Sequence, residues 1–116
     1  MKLRKFAAAA LLLATLGSAA AEPPKRELRS IWMAAMGIDW PRGSAAVGTS
    51  ASAQATAKAD LIEYIENFKR HNFNGICLQV RPLADALYRS SLEPWSASVS
   101  GTRGVDPGWD PLAFAV

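Results

Sequence analysis

Cysteine and histidine each occur once in these 116 residues. A single thiol, Cys77, cannot close an internal disulfide. One cysteine and one histidine cannot build a zinc site by themselves. A catalytic thiol would want a histidine partner. His71 falls near the end of a predicted helix, where it is better placed as a favourable charge on the helix C-terminus. Cys77 itself reads as a small buried strand residue. No metal-ligand cluster, phosphate-cradling glycine loop, serine triad or internal repeat is present, so the sequence calls for no metal and no cofactor.

A long apolar run is also missing. Phe6 to Leu16 is too short for a comfortable membrane span, but it follows the basic residues Lys2, Arg4 and Lys5 and precedes the small-residue site Ala19-Ala20-Ala21. That is a signal-peptide pattern over residues 1–21, with Glu22 as the expected mature N-terminus. No cysteine stands near the cleavage site to carry a lipid, so no stable membrane anchor is expected after cleavage. The expected location is periplasmic or extracellular. The chain has 13 basic and 10 acidic residues; removing Lys2, Arg4 and Lys5 leaves the two signs equal. The basic character belongs to the leader, and nucleic acid is set aside as a partner.

The remaining pattern is strand, helix, strand. Leu28 to Met36 reads as a strand with Ile31, Met33 and Ala35 toward helices and Ser30, Trp32, Ala34 and Met36 facing the other way. Arg42 to Thr56, rich in Gly, Ser, Ala and Thr, reads as a mobile loop running into a helix near Ser52. The helix is clearest from Ala57 to His71. Leu61, Ile62, Ile65 and Phe68 form its apolar side, and Lys58, Glu63, Glu66, Lys69 and Arg70 its wet side. Glu66 and Arg70 are spaced for a weak ion pair, and Asn72 suits a left-handed stop. Ile76 to Val80 is the second strand, expected to run parallel to the first. Ile76, Leu78 and Val80 share one face, and Cys77, Gln79 and Arg81 the other. Pro82 to Trp95 is too long and too polar for a simple turn and reads as a functional βα loop. Asp110 and Pro111 mark the N-cap and first position of another helix. A helix begun there and two strands with open edges suggest a piece of a longer gene product.

Four ordered motifs carry a family likeness. They are Pro24-Lys25-Arg26-Glu27-Leu28-Arg29-x-Ile31-Trp32, then Ile38-Asp39-Trp40-Pro41, then Gln79-Val80-Arg81-Pro82-x-x-Asp85-Ala86-x-Tyr88-x-Ser90-x-x-x-Pro94-Trp95-Ser96, and Pro107-Gly108-x-Asp110-Pro111-Leu112. Residues 22–116 thus resemble the start of the glycosyl hydrolase-like 10 family, with Trp109 a mild departure. The resemblance implies an α/β chain: the N-terminal portion of a (β/α)₈ TIM barrel, comprising two strands, the first helix and the start of the second. It also implies an exported glycosidase acting on a polysaccharide, with peptidoglycan glycan strands as the substrate class for envelope members. Barrels of this kind run to about 250 residues. The catalytic carboxylates are expected on later strands, beyond Val116.

Glycosidases use paired carboxyl groups. The carboxylates near the strand ends here are Asp39, Asp85, Glu93, Asp106 and Asp110. Asp110 is expected to cap a helix, Asp106 to form a turn and Glu93 to be a solvated loop charge. Asp39 and Asp85 suit sugar-hydroxyl contacts or a purely local loop role. Gln79 and Arg81 suit substrate contacts or an internal polar network; Arg81 in particular could hold an acidic sugar substituent or orient a neighbouring carboxylate. Trp32, Trp40, Tyr88 and Trp95 could offer flat faces to sugar rings, or pack as core, with Trp32 suited equally to plain barrel filling. The substrate-binding set is therefore Asp39, Trp40, Gln79, Arg81, Asp85, Tyr88 and Trp95. A sugar-binding module without turnover, or an inactive gene fragment, are the competing readings.

Overall fold

The structure is a computed structural model that describes residues 27–116. The leader pattern and the Pro24-Lys25-Arg26 segment lie outside the described residues.

Two strands, β1 (Ser30–Met33) and β2 (Gly75–Leu78), pair in parallel, with Ser30 opposite Gly75 and Met33 opposite Leu78. Between them runs α1 (Ala51–Arg70). The expected strand-helix-strand order and parallel pairing are present. The described residues do not by themselves close a barrel.

Both strands are shorter than the apolar pattern suggests, because side chains take over the ladder at each end. At the start, the Asn74 side-chain oxygen accepts from Arg29 N at 2.7 Å, and Asn74 N donates to Arg29 O at 2.9 Å. At the far end, Gln79 N donates to Met33 O at 2.9 Å. The next two backbone N–H groups of the first strand, on Ala34 and Ala35, then donate to the side chains of Asp39 and Gln79. Backbone donors that leave a sheet need acceptors, and these carboxylate and amide oxygens supply them.

Ser50 caps α1, its hydroxyl accepting from Ala53 N at 3.1 Å. At the other end Nδ1 of His71 lies 2.8 Å from Asn67 O, and Asn72 takes a left-handed φ of 62°. The helix buries Ala53, Ala57 and Leu61, with Ile65 and Phe68 partly buried beside them. Ile62, expected on the apolar side, is 52% exposed. Two further expectations fail on the wet side. Arg70 reaches the Asn67 side chain rather than Glu66. Lys58 lies over the rings of Trp109 and Phe114 at 5.0 and 5.4 Å; the long aliphatic stem lets an ammonium cover aromatic faces and stay partly wet.

The segment before α1 holds a 3-10 turn at Ser44–Ala46, with Ala46 buried in the same core as Met33, Ala35, Leu61, Leu87 and Val99. Trp40 sits at the centre of that core, fully buried, with its indole N–H donating to Ala57 O at 2.8 Å. Trp109 meets it edge-on, ring centroids 6.3 Å apart.

The other sheet face is open among the described residues. Trp32 is 65% exposed, and Cys77 is exposed rather than buried, its sulfur 3.4 Å from Ser30 Oγ. Helix covers one side of the strands only, and Trp32 and Cys77 point away from it.

Candidate functional site

Because the strands are parallel, the segments leaving β1 and β2 emerge at the same sheet edge. The chain leaving the first strand turns sharply through Met36 and Gly37, both left-handed with φ of 66° and 74°. Methionine rarely adopts that conformation. The turn is held where Asp39 and Trp40 donate their backbone N–H groups to Ala34 O. Asp39 Oδ2 in turn accepts from Ala34 N at 2.7 Å, and Gln79 Oε1 from Ala35 N at 3.0 Å. These two candidates are thus fixed on neighbouring backbone groups of one strand end, half-buried, each with an oxygen engaged.

The long loop after the second strand is pinned by its own ladder. Ala86 pairs in parallel with Trp95; Ala86 N donates to Pro94 O, and Ser96 N to Ala86 O. This buries Asp85, Ala86 and Leu87. Ser96 then caps a short helix, α2 (Ala97–Ser100), its hydroxyl accepting from Ser98 N. Ser96 and Ser98, absent from the expected set, lie with Met36, Gly37, Leu83 and Asp85 around an open cavity of about 590 Å³. The only sequence signals for this were the unusual length of the loop and the Pro94-Trp95-Ser96 motif.

Arg81 is engaged within its own loop. Its Nε donates to Glu93 Oε2 at 2.7 Å, and its Nη2 meets Glu93 Oε1, a bidentate pair. Glu93 is therefore not the solvated charge the sequence suggested; its side chain is 16% exposed. The hydrogen bond and then the charge of Glu93, with Tyr88 adding a smaller effect, hold the Arg81 guanidinium above its ordinary range. Tyr88 is half-buried. Trp95 is also half-buried, and the Arg89 guanidinium stands over its ring at 5.8 Å. Arg89 is held there by Asp106 at 3.5 Å.

Asp110 caps α3 (Pro111–Ala115) through Ala113 N, and its other oxygen accepts from Arg89 N. Asp106 accepts from Gly108 N, as a turn former does. Of the seven candidates, Asp85 alone lines the cavity. Asp39 and Gln79 close the strand end, while Arg81 and Tyr88 lie with Glu93. Trp95 lies beneath Arg89. Trp40 is the correction: enclosed by the core and tied to Ala57, it leaves no face for a sugar ring. Among the described residues no group of three or more His, Cys, Asp or Glu could hold a metal ion.

A parallel strand pair, a covering helix and an open, largely apolar cavity beside the segments that leave the strand C-termini define the class: an α/β unit of the kind that binds ligands at that edge. The glycosyl hydrolase-like 10 family profile matches residues 27–116, and the chain belongs to that family. It is 39% identical over 92 residues to "Glycosyl hydrolase YngK" of Bacillus subtilis, covering 78% of this chain and 17% of that protein. It is 31% identical over 98 residues to "Glycosyl hydrolase DigH" of Escherichia coli strain K12, covering 83% of this chain and 22% of that protein. The chain thus spans about a fifth of the length of these relatives.

Proposed function

We propose that this chain supplies the opening strand-helix-strand portion of an exported (β/α)₈-barrel glycosidase. The bond cleaved is glycosidic, in a polysaccharide, with peptidoglycan glycan strands the favoured substrate class. The observation that carries this reading is the family match across every described residue. The cleft where both strands end is the edge at which barrels of this kind work. The leader pattern over residues 1–21 supports export.

In this reading the described residues hold and shape the substrate. The two carboxyl groups that break the bond, about 5–5.5 Å apart for retention or about 6.5–9.5 Å for inversion, lie outside them. The test is release of reducing ends when the full-length protein meets purified glycan strands and a panel of other polysaccharides. Release identifies a glycosidase. Binding without release would make it a sugar-binding module, and neither would remove the glycan reading.

A further inference from the structure

We propose that the cavity bounded by Met36, Gly37, Asp85 and Ser98 takes an uncharged sugar unit and disfavours one that bears a carboxylate. This deepens the glycan reading above and rests on it. Asp85 is 2% exposed, and one of its oxygens, Oδ1, accepts from Leu83 N at 3.3 Å. Its Oδ2 has no hydrogen-bond partner among the described residues. Yet no fully buried side-chain oxygen or nitrogen there lacks a partner, so Oδ2 keeps an opening, and Asp85 lines the cavity. A buried carboxylate with a spare acceptor is a receptor for hydroxyl donors. Ser44 and Ser98 add hydroxyls to the wall, and Met36, Val47 and Leu83 add the apolar surface a sugar's C–H face needs. The volume falls within the range of about 300–1,000 Å³ usual for small-ligand sites.

The charge preference comes from how the arginines are disposed. Asp85 is the one charged residue in the cavity wall. Arg42, which enters that wall's Gly43-Ser44 segment, turns to Asp60 and Glu63. Arg81 is bound to Glu93, and Arg89 to Asp106. Arg103 donates to Ala84 O, next to Asp85, at 3.0 Å. None of them pairs with Asp85 among the described residues. A ligand carboxylate would meet the Asp85 anion, with which no arginine pairs directly, a repulsion that weakens binding about 3- to 10-fold at partly screened distances.

The test measures binding of an N-acetylglucosamine oligomer and the same oligomer oxidised at C6 to the carboxylate, using the full-length protein at low ionic strength. The neutral form is expected to bind about 3- to 10-fold tighter. Asp85→Asn should narrow that ratio. Leu83→Lys, at a position 60% exposed and safe for folding, should narrow it further by bringing a cation to the rim. Equal or tighter binding of the oxidised form by the unaltered protein overturns the proposal, as does a ratio that neither substitution moves. If neither oligomer binds but glycan strands are still cleaved, this inference alone falls. If strands are not cleaved or bound either, the glycan reading falls with it.

Discussion

Gln79 Oε1 accepts a hydrogen bond from Ala35 N at 3.0 Å, so the side chain just past the second strand stands in for the next rung of the sheet. Ala35 is fully buried. Replacing Gln79 with leucine would leave its N–H without an acceptor, a loss of about 1–3 kcal/mol. Glutamate at position 79 keeps the acceptor and should retain most of the stability at neutral pH. Urea unfolding of the two variants checks this. Equal stability of Gln79→Leu and the parent would show that the amide is not needed to close the strand.

The Trp40 indole is held by Ala57 O inside the core. Trp40→Phe should cost about 1–3 kcal/mol from the lost hydrogen bond and the space left behind. Ala57→Leu should cost a similar ~1–3 kcal/mol by forcing α1 away from the ring. Thermal unfolding measures both, and the double variant should cost less than the two single costs combined, because the sites touch.

That pair also marks what the sequence withheld. Trp40 stands among Gly, Asp and Pro, the residue types of an exposed turn, and nothing local shows that the turn folds back onto a helix. On the helix, large apolar residues draw attention to Leu61, Ile62, Ile65 and Phe68. The buried stripe instead begins with alanines, whose small size admits the indole. Arg81 and Glu93 lie twelve residues apart in an irregular loop, where no periodicity predicts contact. By contrast the parallel strand order, the Asn72 stop and the Asp110 cap were legible, because each follows from backbone chemistry that acts over a few residues or from the alternation of a strand. Exposure of Cys77 was not legible: a short apolar strand looks the same whether one face or both are covered.

Asp110 uses both carboxylate oxygens, one on Ala113 N at 3.0 Å and one on Arg89 N at 2.9 Å. Asp110→Ala should cost about 1–2 kcal/mol, fray α3 and speed hydrogen exchange at the Arg89 amide. Asp110→Asn offers one acceptor oxygen in place of two, so it should protect one of these amides and not both. Exchange rates at Arg89 and Ala113 in the two variants test that division directly.

If the chain binds glycan as proposed, Arg81 should act on it through the shape of its loop, because its side chain is paired with Glu93. Its guanidinium grips both oxygens of Glu93, on the far arm of the Pro82–Trp95 excursion that also carries Asp85 to the cavity. The arginine side chain is 58% exposed, so Arg81→Ala should leave the protein folded. Loosening the loop should displace the cavity wall, and a misplacement of about 1 Å can lower turnover by about 100-fold. Arg81→Lys should recover little, because an ammonium cannot reproduce a two-pronged grip. Glu93→Gln should resemble Arg81→Ala in kcat, and the double variant should be no worse than either single one. Additive losses in the full-length protein would mean that Arg81 and Glu93 serve separately, and unchanged turnover in Arg81→Ala would remove the pair from any role in the proposed catalysis.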